Sequence, residues 1–238
     1  MKIQTIIFAL VTAVLTAPAF ADHNRTDKQG RKQGHWIELS ESGDSAEGHY
    51  VNGKRLGPWV LRFADGAVQK GAFVDGKKNG RWVLRAAVQE KSVAGGKYAL
   101  QRLLSLTPAV QEGAFVDGKR HGHWLLRFAN GDAQEGPYVN GKKHGHWVER
   151  YGFEVSEGPF VNGKRHGHWI EKDADGRVWK AGPYVDGKQH GHWVFQFAED
   201  AVWEGPYVDG KQHGRWVWRH SDGTVWRHET WRNDELVE

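Results

Sequence analysis

Apolar and polar positions alternate along most of the chain with the period of two that is typical of a β-strand. In one segment, Trp59, Leu61 and Phe63 fall on the same face of the predicted strand. Val60 and Arg62 fall on the other face, because successive strand side chains point to opposite sides. The pattern therefore predicts an all-β protein.

Asn-Gly and Asp-Gly pairs separate the predicted strands. Both residues of a tight hairpin turn need positive φ, which Asn, Asp and Gly tolerate best. One set of turns is Asp75-Gly76, Asp117-Gly118, Asn140-Gly141, Asn162-Gly163, Asp186-Gly187 and Asp209-Gly210. A second set lies between them, at Asp65-Gly66, Asn130-Gly131, Asp175-Gly176 and Asp222-Gly223. Turns that alternate at such short and regular intervals predict an up-and-down antiparallel meander.

The motif Gly-Lys/Arg-x-x-Gly-x-Trp occurs eight times. Its copies begin at Gly30, Gly53, Gly76, Gly118, Gly141, Gly163, Gly187 and Gly210. All but one of the steps between copies are nearly equal, and one repeat is about 23 residues long. Self-similarity at such a period is typical of an array in which each unit packs on its neighbours. We expect an elongated single-layer meander, or solenoid, of about eight hairpin repeats.

Aromatic residues recur in register with this motif. One set is Trp36, Trp59, Trp82, Trp124, Trp147, Trp169, Trp193 and Trp216, and a companion row is Tyr50, Phe73, Phe115, Tyr138, Phe160, Tyr184 and Tyr207. Burying each ring stabilises the fold by about 1.5–3 kcal/mol, so we predict a structural role for both sets. The glycine at the fifth motif position, for example Gly57, Gly80 or Gly122, is predicted to allow a backbone or an aromatic ring to approach closely.

One repeat junction carries an insertion at residues 86–110. The step from Gly76 to Gly118 is nearly twice as long as any other step between copies. Within the insertion, Tyr98 or Leu100 would form one apolar face of a short helix together with Leu103 and Leu104. Two interpretations remain open, a loop with a helix that caps the sheet and an element that docks a partner.

The repeats resemble a known family. Tyr138-Val139-Asn140-Gly141-Lys142-Lys143-His144-Gly145, followed by Trp147 and by Glu157-Gly158-Pro159-Phe160, is similar to the MORN repeat, and in particular to its bacterial MORN-variant form. The similarity covers nearly all of residues 30–216. It implies an elongated array of antiparallel hairpins that serves as a protein-interaction or scaffolding module, and lipid binding has been proposed for some members. This chain departs from the usual family pattern after the His-Gly pair, where a second His, or Pro58 in the second repeat, replaces a small residue.

The two ends of the chain differ from the repeats. Residues 1–21 combine Lys2, a short apolar stretch and an Ala-x-Ala ending, which predicts a secretory signal peptide cleaved near Ala21. The product would be periplasmic or secreted. Repeats one to three then occupy residues 22–85, and repeats four to eight occupy residues 111–219. Residues 220–238 resemble a degraded last unit that would cap the array.

Composition narrows the classes of partner. The chain has no cysteine and therefore no disulfide, so packing must supply its stability. The formal net charge is +4 and charges of both signs are interspersed. Because no block of basic residues is present, we expect no nucleic-acid partner.

Four consecutive His-Gly-His triplets are candidate metal ligands. They are His121/His123, His144/His146, His166/His168 and His190/His192. On extended strands each pair would share a side, and stacked pairs would form a ladder able to bind zinc or copper. Against this, the pattern decays in the other repeats, and no carboxylate or thiol recurs at matching spacing. We predict no metal and no other cofactor, and keep the ladder as an alternative.

The repeats contain no signature of catalysis. There is no Cys, no Gly-x-Ser-x-Gly segment and no phosphate-binding glycine loop, and the carboxylates recur with the repeat instead of forming one cluster. We therefore predict no enzyme but an exported scaffold that binds protein partners, of unknown identity, along an extended β surface. The alternatives are adhesion to anionic lipid or glycan of the envelope, and metal binding. Exposed terminal strands would also allow a homodimer.

Overall fold

The structure, a computed structural model, describes residues 23–87, 108–197 and 201–238. Within these residues it is all-β, with antiparallel strands in a single open sheet and no helix. The fold class predicted from the sequence is confirmed. The helix expected within the insertion, and the predicted signal peptide, lie outside the described residues.

The strands follow one another along the sheet in chain order. They are β1 Arg25–Thr26, β2 Lys32–Leu39, β3 Ser45–Val51, β4 Lys54–Arg62, β5 Val68–Val74, β6 Lys77–Arg85, β7 Pro108–Val116, β8 Lys119–Phe128, β9 Ala133–Val139, β10 Lys142–Lys143, β11 Gly145–Tyr151, β12 Glu154–Val161, β13 Lys164–Arg165, β14 Gly167–Lys172, β15 Val178–Val185, β16 Lys188–Gln189, β17 Gly191–Gln196, β18 Val202–Val208, β19 Lys211–Arg219, β20 Val225–Arg232 and β21 Glu235–Leu236. The short strands β10, β13 and β16 each precede a longer strand that pairs with the same neighbour.

The repeat register continues across the insertion. β6 pairs directly with β7, with Gly80 opposite Phe115 and Arg85 opposite Val110. β7 begins at Pro108, so residues 108–110, which were predicted to belong to the insertion, are part of the sheet. Pairing extends this far because the backbone groups of β6 and β7 satisfy one another when the ladder continues. The insertion therefore connects two strands that are direct neighbours in the sheet.

The Asn-Gly and Asp-Gly turns that begin the motif share one backbone geometry. In the second predicted set only the glycine of each pair has positive φ, so the prediction of two positive φ angles was wrong for Asp65-Gly66, Asn130-Gly131, Asp175-Gly176 and Asp222-Gly223. At Asn162-Gly163 the two φ angles are +53° and +87°, and the other Asn-Gly and Asp-Gly turns that begin the motif have the same signs. Such turns match the twist of the flanking strands. The N–H of Gly163 donates to the carbonyl of Lys143, 2.8 Å away, in the preceding repeat. Each turn is thus hydrogen-bonded to its neighbour, which links the repeats along this edge of the sheet.

The core is one row of rings on one face of the sheet. Trp59, Trp147, Trp169, Trp193 and Trp216 are at most 1% exposed. Because the described strands form a single layer, the neighbouring side chains of the same face cover these rings. We call this the tryptophan face, and the opposite one the reverse face.

Candidate functional site

Each core tryptophan lies flat against a glycine of the preceding strand. A Cβ atom built on Gly158 would stand 2.5 Å from the ring of Trp169, and one on Gly71 would stand 2.2 Å from the ring of Trp82. The other pairs are Gly48 with Trp59, Gly113 with Trp124, Gly136 with Trp147, Gly182 with Trp193 and Gly205 with Trp216. Real Cβ atoms do not approach so closely, so only glycine fits. These glycines were not predicted from the sequence, although each precedes its tryptophan by the same spacing.

At the fifth motif position, the prediction of close approach was wrong for the three glycines that were given as examples. At Gly57, Gly80 and Gly122 no atom of the described residues lies within 4 Å of a built Cβ, so none of the described rings approaches there. These glycines instead have φ angles of +67° to +69°, a left-handed conformation that other residues adopt at a cost. The position therefore needs glycine for its backbone conformation, and close packing adds to this need at Gly145, Gly167, Gly191 and Gly214, where a built Cβ would stand 3.1 Å from a proline ring.

The tryptophan and companion rows interleave into a single row. Trp147 contacts Tyr138 and Phe160 with ring centroids 5.1 and 6.0 Å apart and interplanar angles of 87° and 77°. The same edge-to-face geometry runs from Trp36 to Trp216. Aromatic pairs prefer this arrangement because the positive ring edge meets the negative ring face. The indole N–H of Trp147 also has a partner, since it donates to the carbonyl of Pro137 at 2.9 Å.

A cation from the same motif covers the tryptophan ring in six of the eight repeats. The side chains are Lys32, Arg55, Lys78, Arg120, Lys143 and Arg165, and each lies 4.0 to 4.6 Å from the centroid of its own tryptophan. Attraction between a cation and an aromatic face contributes about 0.5–2 kcal/mol. In the last two repeats Gln189 and Gln212 stand at this position. Lys180 of β15 lies 5.4 Å from the ring of Trp193 instead.

Two carboxylates neutralise four of these six cations. Glu149, whose side chain is 6% exposed, lies 2.6 Å from Nζ of Lys143 and 2.8 Å from Arg165. Glu38 is bound in the same way by Lys32 and Arg55. Burial raises the pKa of Glu38, but hydrogen bonds from Lys32, Arg55 and Tyr50 outweigh burial and hold the pKa below its ordinary value. Each carboxylate therefore joins two successive repeats.

At the C-terminal end, aromatic rings take the place of the cations. Trp203 lies 4.2 Å from Trp216, between ring centroids, and stacks on Trp218 at 5.5 Å. Trp218 in turn contacts Phe197 and Trp226, which are 47% and 50% exposed. This end of the tryptophan face thus presents exposed rings. The sequence pattern predicted Trp226 only as part of a terminal cap.

The reverse face carries a periodic row beside the hairpin turns. A half-exposed valine pairs across each turn with an exposed lysine, as Val139 does with Lys142. We call this row the Val–Lys stripe; it comprises Val51, Val74, Val116, Val139, Val161, Val185 and Val208, with Lys54, Lys77, Lys119, Lys142, Lys164, Lys188 and Lys211. The valines are 38–48% exposed. The predicted turn glycines lie between the two members of each pair.

The histidine triplets do not form the extended pairs that a metal-binding ladder would need. The central glycines all have positive φ, from +68° to +83°, so the strand is not extended between the two histidines; they are Gly122, Gly145, Gly167 and Gly191. The second histidine of each triplet is exposed and stands opposite a proline of the neighbouring strand, which offers no ligand. These pairs are His123 with Pro137, His146 with Pro159, His168 with Pro183 and His192 with Pro206. The extended geometry that the ladder alternative assumed is therefore absent at these four triplets.

The first histidines His144, His166 and His190 lie between two strand segments, whereas His121 lies within β8. The backbone N–H groups of His144 and His166 donate to the carbonyls of Pro137 and Pro159, each at 2.9 Å. His121 stands opposite Ala114, and His190 lies 3.9 Å from Asp209. Among the described residues, no three His, Cys, Asp or Glu side chains gather as a group that could hold a metal ion. The triplets therefore provide single imidazoles and not a chelating set.

No protein-family model matches this chain, and no curated protein shows significant similarity to it. In the part of the chain that the structure describes, no helix is long and apolar enough to cross a membrane.

Proposed function

We propose that this chain is an exported, non-catalytic MORN-like scaffold that binds protein partners along its extended sheet. The Val–Lys stripe is the observation that supports this proposal. It repeats an apolar side chain and a positive charge in the same order seven times on one face. The fold buries neither member of a pair, so a partner that spans several repeats would contact them together.

The spacing of the stripe suits an extended partner. Each repeat contributes two strands, about 4.8 Å apart, so equivalent valines recur about every 10 Å. A partner segment with apolar and acidic side chains would meet a valine and a lysine in each repeat. Contacts that are weak individually would add through multivalency. Export is supported by the pattern of residues 1–21, and mass spectrometry of the mature N-terminus would test cleavage after Ala21.

Crosslinking from single sites tests the proposal. A photoreactive amino acid is placed at Val139 or Val161 in the stripe, or at Phe153, which is 84% exposed and lies in a turn at the opposite edge. We expect the same protein to be captured from both stripe sites and not from position 153. The captured protein should then bind the purified chain, and Val139→Ser with Val161→Ser should weaken that binding by about tenfold or more. Equal capture from position 153, or unchanged binding of the double variant, would refute the proposal.

A second candidate is adhesion to envelope material. The exposed rings of Phe197 and Trp226 favour glycan contact, and the lysines of the stripe favour anionic headgroups. Polysaccharide pull-down with Trp226→Ala, and flotation with vesicles that contain about one third phosphatidylglycerol, separate the two. If the natural chain binds polysaccharide or vesicles in these assays and crosslinking captures no protein, adhesion would be favoured over the scaffold.

The proposed binding unit is the single chain and not a homodimer. Within the described residues the outermost strands, β1 and β21, have two residues each. Short edge strands limit pairing with another sheet. A homodimer through these edges therefore has little backbone to share.

A further inference from the structure

The pairing of cations and carboxylates breaks in the middle of the array. Two positions after its tryptophan, the first repeat has Glu38 and the fifth has Glu149, whereas the second, third and fourth repeats have Leu61, Leu84 and Leu126. Arg55 still reaches Glu38, and Lys143 still reaches Glu149. For Lys78 and Arg120, both their own repeat and the preceding repeat have leucine at this position, so these two cations have no carboxylate there.

The hydrogen bonds of these two cations go to neutral groups. Nζ of Lys78 donates to the side-chain oxygen of Gln69, 2.6 Å away. Arg120 donates to Gln111 and to the hydroxyl of Tyr138. Among the described residues, no carboxylate lies within 4.0 Å of either cation. A lysine has three donors and an arginine has five, so donors remain for a further acceptor.

Both cations line one groove on the tryptophan face. The groove has a volume of about 280 Å³, and its walls include Leu84, Phe115 and Gln111 in addition to Lys78 and Arg120. The cations also repel one another. Burial lowers the pKa of Lys78, and the positive charges of Arg120 and Arg55 lower it further. An anion in the groove would offset both effects.

The repeats that have a glutamate at this position show which anion fits between two successive cations. Glu149 is bound by the lysine of its own repeat, Lys143, and by the cation of the next repeat, Arg165. Leu84 follows Lys78 by the same spacing as Glu149 follows Lys143, and Arg120 is the cation of the next repeat.

We propose that the groove between Lys78 and Arg120 binds a carboxylate on a short aliphatic stem, such as a glutamate side chain of a peptide. The carboxylate would take the place that Glu149 occupies in the fifth repeat, while its stem would lie beside Leu84 and Phe115. The groove lies on the face opposite the Val–Lys stripe, so the inference goes beyond the scaffold function.

The test compares two peptides that differ in one charge. Acetyl-Gly-Glu-Gly-amide and acetyl-Gly-Gln-Gly-amide are titrated into the mature chain at constant ionic strength, and binding is followed by NMR shifts of the Arg120 Nε–H. We expect the Glu peptide to bind at least about tenfold more tightly, since hydrogen bonds to charged groups are the stronger ones. Equal binding of the two peptides, or no binding of either, would overturn the proposal. Inorganic phosphate is titrated in parallel; if it binds tightly and the Glu peptide does not, the carboxylate assignment is wrong.

Leu84→Glu supplies the missing carboxylate within the chain. It should abolish binding of the Glu peptide and raise the melting temperature, since the new side chain repeats the contacts of Glu149. The control is Leu39→Glu, which makes the same charge change at a residue that is 78% exposed outside the groove, and it should leave binding unchanged. Peptide binding that persists in Leu84→Glu, or that is lost equally in Leu39→Glu, would contradict the proposal. Both outcomes are independent of the stripe experiment.

Discussion

The ring of Trp169 lies against Gly158 so closely that a Cβ atom on this glycine would stand 2.5 Å from it. Trp169 belongs to β14 and Gly158 to the adjacent strand β12. Gly158 has no positive φ, so glycine is needed there for space alone. The same relationship recurs in seven repeats and sets how tightly successive repeats pack.

Gly158→Ala should therefore destabilise the chain through overpacking. We expect a loss of about 2–3 kcal/mol in the free energy of unfolding, measured by urea denaturation. In a Trp169→Ala background the added methyl has room, so Gly158→Ala should cost almost nothing there. Equal costs in both backgrounds would show that the ring is not what excludes the methyl group.

Gly80→Ala separates conformational strain from close packing. No atom of the described part of the chain lies within 4 Å of its built Cβ, but its φ is +67°. We expect a cost of about 1–2 kcal/mol in the free energy of unfolding from the left-handed conformation alone. Urea denaturation should give the same cost whether or not Trp82 is replaced, in contrast to the pair of Gly158 and Trp169. A cost that vanishes with Trp82 would point to packing instead.

Glu149→Ala should be among the more harmful single changes to an ion pair in this chain. It leaves Lys143 and Arg165 facing each other with 20% and 25% of their side chains exposed. Removing one partner of a buried pair costs about 3 kcal/mol. Glu135→Ala is the control, since its pair with Arg150 is 36% and 47% exposed and should contribute less than about 1 kcal/mol. Thermal melting of both variants decides the comparison, and similar losses would contradict it.

Acid should weaken the N-terminal repeats through Glu38. Burial raises the pKa of Glu38, but hydrogen bonds from Lys32, Arg55 and Tyr50 lower it by more, so the folded pKa lies below the ordinary 4.5. The carboxylate therefore contributes stability that is fully present above the ordinary pKa of 4.5 and is lost as the pH falls through the folded pKa. Glu38→Gln should flatten this part of the curve of melting temperature against pH, whereas Glu154→Gln, at the exposed start of β12, should not. An unchanged curve in Glu38→Gln would show that this carboxylate does not carry the acid response.

The hairpin turns predict a graded response at Asn162, whose φ is +53°. Asn162→Gly should be close to neutral, because glycine adopts this conformation freely. Asn162→Val should cost about 1–2 kcal/mol, because a β-branched residue is disfavoured there. Urea denaturation of the two variants, with Val161→Ser as the control for a change at the same turn, checks the order. If the valine variant were as stable as the glycine variant, the result would contradict this turn geometry.

Much of the fold could be predicted because its signals are local. The alternation at Trp59 to Phe63 and the Asn-Gly and Asp-Gly pairs depend on neighbours in sequence, and repetition makes each signal visible several times. The signal for the glycine beneath each tryptophan was present as a constant spacing, but a spacing does not say which atoms meet. That is why close approach was assigned to Gly57 and not to Gly48. A local pattern also suggested the histidine ladder as an alternative, but the positive φ of Gly145 and its equivalents breaks the extended geometry that the ladder assumed.

The sequence by itself determined the strand period, the turns and the length of the repeat, since each follows from backbone preferences and side-chain alternation over a few residues. Only the tertiary structure decided that two aromatic sets interleave into one row and that Glu149 binds cations from two repeats. It also decided that Lys78 and Arg120 share a groove to which the described residues contribute no carboxylate. These contacts join residues of different strands, and their energies depend on distances and burial that the sheet register sets.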